Sequence, residues 1–255
     1  MLKKMDESDH YLFKAYDSTS KSEAKKFAKK ALELWPQNFD AENVFTKYKT
    51  NRIKKLKMYK ETMDKVKAYL EEENIVSDKD IGNYYGICET RPYMRTRNLY
   101  IRTVIELGRY KEALEHCKEM VKLSENDNLG VRYTLIGLYT MLEEFDKVQE
   151  VYKYYGDDRL SMSLPLAISY YKKADYRKCK SLLKKIDSYN HYIIDYITNE
   201  NGRYNHIDEI FKNSDLYGLG TPEEVYFVLK DLSYLLATVP FFKEYVYDEI
   251  YSKRK

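Results

Sequence analysis

Apolar residues recur three or four positions apart along most of this chain, the spacing of one face of an α-helix. Over 22–35, Ala24, Phe27, Ala28, Ala31 and Leu32 form such a stripe, and Pro36, which cannot continue a helix, closes it. Tyr11, Leu12 and Ala15 mark a helix before it, so the first part of the chain predicts a helical hairpin. Further stripes predict helices over 108–123, 145–155 and 174–186. Between these and the first hairpin, 41–73 reads as one long charged helix. Ile53, Leu56, Tyr59, Met63, Val66 and Leu70 form its packing face, and Lys54, Lys55, Lys57, Lys60, Lys65 and Lys67 lie outside it among acidic residues. The pattern lapses over 75–92 and again over 200–220. Thr221-Pro222-Glu223-Glu224 then carries a capping box with proline at the first helical position, and helices are expected over 222–236 and 240–252.

The hairpins share a frame. The tetratricopeptide pattern wants Leu at position 7, a small residue at 8, Tyr at 11, Ala at 20 and 27, an aromatic at 24 and Pro at 32. Ala24, Ala31 and Pro36 take positions 20, 27 and 32 of a first frame, and Gly108, Tyr110 and Ala113 take 15, 17 and 20 of a second. Leu135, Tyr139, Phe145 and Tyr152 fit the next, and Leu166, Ala167, Tyr170 and Tyr176 the last. Ile101 and Ile136 stand where a small residue is wanted, yet the last three frames lie 35 and 31 residues apart. A single hairpin cannot bury its own apolar face, whereas stacked neighbours bury a continuous core. The expectation is therefore an all-α, right-handed α-solenoid of tetratricopeptide-like hairpins forming one domain over 1–255. Its parts are an N-terminal hairpin and long helix (1–74), three repeats (92–188) and a C-terminal helical cap (189–255).

Composition agrees with that class. Apolar residues make up 44% of the 255, enough for a core, and only 9 glycines and 5 prolines argue against a sandwich, a barrel or a disordered tail. A balance of 44 basic and 41 acidic residues leaves a net charge of +3, which does not point to a strongly basic nucleic-acid binder. Cys88, Cys117 and Cys179 are far apart, so a reducing compartment without disulfides is expected, with Cys117 and Cys179 buried at helix interfaces. His116 and Cys117 are adjacent, point about 100° apart on a helix and poorly share one metal. Gly218-Leu219-Gly220 precedes a helix without the rest of a phosphate loop, and a tight turn accounts for it. No catalytic, metal or cofactor residue is assigned, and the chain is read as a non-enzyme without cofactors. The first ten residues hold no apolar run of signal-peptide length, and no run of about 18 apolar residues occurs, so a cytoplasmic protein with no membrane span is expected.

Three stretches carry a family resemblance: Glu89-Thr90-Arg91-Pro92-Tyr93-Met94-Arg95, Asn126-Asp127-Asn128-Leu129-Gly130-Val131-Arg132-Tyr133, and Tyr217-Gly218-Leu219-Gly220-Thr221-Pro222-Glu223-Glu224. Over about 20–250 the chain resembles bacterial tetratricopeptide proteins related to the suppression-of-tumorigenicity-seven family. The resemblance implies a helical-repeat fold and an interaction module, and it implies little about activity.

In such a stack the first helix of each hairpin lines the concave face. The frames place Arg95, Asn98 and Arg102, then Tyr133, then Tyr171 on it, with Arg132 beside Tyr133 and Tyr93 at the entrance. Arginine forks bind carboxylates and tyrosines supply rigid contact area, so the expected partner is a protein or peptide with an acidic group or a C-terminal carboxylate. The same arginines equally suit a structural network of Glu89, Arg91 and Arg95, with Arg132 paired to Asp127 or Glu89. The alternative function is an RNA or DNA regulator using the lysines of 54–67. Of the 28 tyrosines, the frame puts Tyr100, Tyr110, Tyr139, Tyr152, Tyr155, Tyr170 and Tyr176 on packing positions.

Overall fold

The structure, a computed structural model, describes residues 2–199 and 217–254. The chain is all-α: the regular elements among those residues are helical, and the only ladder contacts are isolated bridges of Gly82 and Asn83 to Ser124. It divides into two compact units, Met1–Val131 and Arg132–Lys255.

Unit 1 begins with α1 (Leu2–Asp17) and α2 (Lys21–Leu34). Ser20 caps α2 by accepting from Glu23 N at 3.1 Å. Trp35 turns extended (φ −141°, ψ 96°) ahead of Pro36, as the residue before a proline must, and the helix ends there. Ala24, Ala28 and Ala31 are completely buried, and this small-residue face lets α1 come close enough for Ser8 Oγ to donate to Ala31 O at 2.8 Å.

The predicted long helix over 41–73 is two helices, α3 (Phe39–Lys47) and α4 (Arg52–Glu72). Asn51 explains the split: its side chain accepts from Lys54 N at 2.9 Å, so the chain starts a new helix there instead of continuing the old one. Leu56, Tyr59, Met63, Val66 and Leu70 of α4 are buried as expected, but Ile53, in the first turn, is 62% exposed. Three single 3₁₀ turns, Asp78–Asp80, Tyr84–Gly86 and Cys88–Thr90, occupy the break over 75–92 and lead into α5 (Arg91–Glu106), followed by α6 (Tyr110–Leu123). Each of these helices packs on the next, and α3 also packs on both α1 and α5. Alternate helices α1, α3 and α5 therefore form a row.

Unit 2 contains α7 (Val131–Met141), α8 (Phe145–Tyr155), α9 (Leu160–Lys172), α10 (Tyr176–Tyr189) and α11 (Tyr192–Thr198). After residues 200–216, which include most of the second predicted break and lie outside the described residues, come α12 (Pro222–Asp231), α13 (Ser233–Leu236) and α14 (Phe242–Glu249). Met162–Ser169 of α9 is buried on every side, consistent with a helix that carries no charge from Leu160 to Tyr171. Its Leu164 and Ile168 share a core with Leu183, Ile193, Val225, Leu235, Phe242 and Val246. The C-terminal helices thus contribute to the centre of this core. Thr221 caps α12 by accepting from Glu224 N, and the buried Glu224 carboxylate in turn takes Gly220 N (2.8 Å) and Asn190 Nδ2 (2.9 Å). None of the described helices is long and apolar enough to cross a membrane.

Gly137 of α7 marks a close approach. A Cβ there meets the Tyr234 hydroxyl and comes within 3.1 Å of Leu232 Cδ2. Gly137→Ala is expected to destabilise unit 2 by about 1–3 kcal/mol in urea denaturation, and Tyr234→Phe in the same chain to recover part of that loss.

Candidate functional site

The first turn of α3 carries Asp40, whose side chain is nearly fully buried. Arg95 of α5 reaches it with a fork: Nε donates to both carboxylate oxygens at 3.0 and 3.1 Å, and Nη2 joins the contact. Burial works against the charge on Arg95, but Asp40 outweighs it and holds the guanidinium protonated with a raised pKa. Asp9 lies nearby, and its carboxyl is pushed above the usual range, first by burial and then by the negative charge of Asp40.

A cavity of about 290 Å³ opens between α1, α3 and α5 at this pair. Its apolar walls are Ala15, Val44, Leu99 and Leu129, with the rings of Tyr16 and Tyr48. Its polar groups are Asn43, Lys47 and Asn98, besides the mutually neutralised Asp40 and Arg95. Asn43 is 5% exposed. Its Nδ2 donates to Thr96 Oγ1 at 2.7 Å, while its Oδ1 is buried with no donor. A second cavity, about 190 Å³, shares Asp40 and Arg95 and is lined by Trp35, Phe39, Tyr69 and Cys88.

Of the residues predicted to bind a partner, Arg95 and Asn98 come together in the larger cavity. Arg102 is exposed, one turn beyond Asn98 on the same face of α5, and makes no ion pair among the described residues. Tyr93 does not stand at an entrance. It is 3% exposed, its hydroxyl accepts from Arg97 Nη1 at 2.7 Å, and Lys67 Nζ lies 5.5 Å from its ring. Arg132 and Tyr133 lie in unit 2, where Asp157 engages both. Arg132 Nε and Nη2 donate to Asp157 Oδ2 at 3.3 and 3.2 Å, and the Tyr133 hydroxyl donates to it at 3.0 Å. Burial alone would raise the Asp157 pKa, but hydrogen bonds from Arg159 N, Tyr133 and Arg132 outweigh it and lower the value. Tyr171 is taken up by packing, its ring edge-on to Phe242 at 5.1 Å and tilted on Tyr245 at 5.2 Å. Tyr176, assigned a packing position, is 51% exposed, although it meets Tyr171 and Tyr245.

The expected network of Glu89, Arg91 and Arg95 does not form among these groups. Arg95 turns to Asp40, and Arg91 Nε donates to Tyr85 O at 3.0 Å. Asp127 does cap the helix after it, accepting from Val131 N at 2.7 Å. A different arginine, Arg97, is the buried one. It is 3% exposed and donates to Tyr93, to His116 Nδ1 at 3.1 Å and to Glu119. The signal for it was present, since Tyr93, Arg97, Tyr100 and Val104 fall on one helical stripe. Cys117 and Cys179 are fully buried, and burial pushes both thiols up to about 12, so they are unreactive as nucleophiles. No group of three or more His, Cys, Asp or Glu is placed to hold a metal among the described residues.

No family model matches the chain, and no curated protein matches it.

Two measurements test this electrostatic account. Arg95→Ala leaves Asp40 buried without its partner and is expected to cost about 3 kcal/mol, whereas Arg95→Ala with Asp40→Ala should cost clearly less than the sum of the single changes. His116 is depressed below its ordinary 6.5, first by burial and then by the charge on Arg97. Its contribution to stability is therefore complete above 6.5 and is lost as pH falls through the window beneath that value. Glu119 is held below 4.5 chiefly by the Arg97 hydrogen bond and adds a further loss under that pH. Denaturation midpoints should fall between about pH 7 and pH 5. His116→Gln, whose amide oxygen still accepts from Arg97, should flatten that limb and leave the more acidic one.

Proposed function

We propose that this chain is a non-catalytic interaction module whose unit 1 holds a segment of a partner protein, one bearing an acidic group or a C-terminal carboxylate. The observation that carries the reading is the preformed cavity along the row of α1, α3 and α5. It has the composition of a binding site, with mostly apolar walls and a few fixed polar groups. Lys47 borders it, and Arg102 lies on the same face of α5 as Asn98, so cationic groups without a buried structural duty stand where a carboxylate would arrive. Arg95 serves differently: it is committed to Asp40 and sets the wall of the cavity.

The finer fold belongs to the same proposal. Consecutive antiparallel hairpins whose alternate helices touch are what a right-handed stack of tetratricopeptide-like repeats requires. The buried small residues Ala24 and Ala31 sit where that frame wants them. A bacterial, cytoplasmic scaffold or adaptor fits the resemblance and the three free thiols. The nucleic-acid alternative is less favoured because the lysines of α4 are partly engaged. Lys65 Nζ meets Glu42 at 2.7 Å, and Lys57 Nζ lies 3.8 Å from Glu61.

Fluorescence anisotropy with a library of short labelled peptides tests the reading. Peptides with a free C-terminal carboxylate or an adjacent Asp or Glu should outbind their amidated, neutral counterparts. Lys47→Glu with Arg102→Glu should weaken the best of them by about tenfold or more, on surface positions that leave the fold intact. Equal binding of acidic and neutral peptides, or binding by nucleic acid alone with a steep salt dependence, would overturn it.

A further inference from the structure

We propose that the smaller cavity of unit 1, about 190 Å³, is a binding site for a quaternary ammonium ion, a trimethylammonium group being the natural size. Two kinds of residue line it together. Trp35 at the end of α2, Phe39 at the start of α3 and Tyr69 of α4 are aromatic. The rings of Phe39 and Tyr69 touch, with centroids 5.8 Å apart and planes inclined by 55°. Asp9 of α1 and Glu89 of the last 3₁₀ turn bring carboxylates to the same cavity, and both residues are exposed, so a guest arriving from solvent reaches them.

The charge of the lining selects a cation. Asp40 and Arg95 cancel each other, and no lysine or histidine lines the cavity. Glu89 makes no ion pair among the described residues, and Asp9 Oδ1 is met by a neutral amide, Asn38 Nδ2 at 3.2 Å. Two negative charges are therefore left for a guest to answer. The rest of the lining decides which cation. Asp9, Asp40, Glu89 and Cys88 are all at the cavity, yet among the described residues no three such groups are placed to hold a metal ion, so the guest is wider than a bare metal. A primary ammonium is strongly hydrated and carries three donors, which Met5, Pro92 and the aromatic residues do not satisfy. A quaternary ammonium has no donor to strand, and aromatic rings and carboxylates both attract it through charge alone. This site repels an acidic peptide, so the inference does not rest on the peptide reading and goes beyond it.

The cavity contains its own reporters. Trp35 is the one tryptophan of the chain, and Cys88 is exposed while Cys117 and Cys179 are buried. The experiment titrates the full chain with choline, with its neutral carbon isostere 3,3-dimethylbutan-1-ol and with ethanolamine, following Trp35 fluorescence and the rate at which iodoacetamide alkylates Cys88. Choline should shift the fluorescence saturably and slow the alkylation over the same concentration range. The neutral isostere, which keeps the shape and loses the charge, and ethanolamine, which keeps the charge and loses the methyl groups, should each bind about tenfold more weakly or worse. Asp9→Asn with Glu89→Gln, conservative changes at exposed positions, should weaken choline by about tenfold. Trp35→Leu, followed by alkylation alone, should weaken it as well. Binding of the isostere or of ethanolamine as tight as that of choline would overturn the proposal. So would an unchanged affinity in the double variant, or a chain in which choline moves neither reporter.

Discussion

The pairing of Asp40 with Arg95 is the interaction on which unit 1 depends. It joins the first turn of α3 to α5 across a sequence separation of 55 residues. It places a nearly fully buried carboxylate and a half-buried guanidinium on the shared wall of two cavities. Removing either partner would strand the other in a poorly solvated position, which is why the pair cannot be treated as a free recognition arginine. Because the two charges cancel, the larger cavity presents itself to a guest as a mostly apolar space with one exposed lysine and two amides in its lining. The chemistry of the proposed guest follows from that cancellation.

The helical periodicity was easy to read because apolar stripes and end signals agreed. Pro36 closes α2, Phe145–Tyr155 matches its predicted bounds, and Thr221 caps α12. The short helix α3 was hidden, since 41–73 carries a compatible stripe through Tyr48–Asn51 and only the Asn51 cap betrays the interruption. That error had a consequence for function. With α3 merged into a long outer helix, Asp40, Asn43 and Lys47 were assigned no role, although they supply most of the polar character of the cavity. The repeat frame put Arg95 and Asn98 on one face of α5, and both line the same cavity, but the frame had no means of naming Arg95's partner.

Unit 2 shows a different limit. Tyr171 was expected to line an open concave face. The structure covers it from within the same unit, with Phe242 and Tyr245 against its ring, and Tyr234 and Leu232 likewise lie against Gly137 of α7. A repeat frame specifies which side of a helix faces the inside of a stack, but not whether a later segment returns to fill it. The tyrosine abundance divides along the same line. Tyr93, Tyr100 and Tyr139 are buried structural residues, whereas Tyr16 and Tyr48 border the cavity in unit 1.

The central claim is that the α1–α3–α5 cavity is where this chain meets its partner. The most direct measurement is a two-dimensional amide NMR titration of the ¹⁵N-labelled chain with the tightest acidic peptide, including the side-chain amides of its asparagines. The account predicts that the largest shifts fall on Asn43, Lys47, Asn98 and Leu99, with the lysines of α4 and the residues around Tyr171 unmoved. Shifts confined to α4 or to unit 2, with the Asn43 and Asn98 side-chain amides unchanged at saturation, would contradict it.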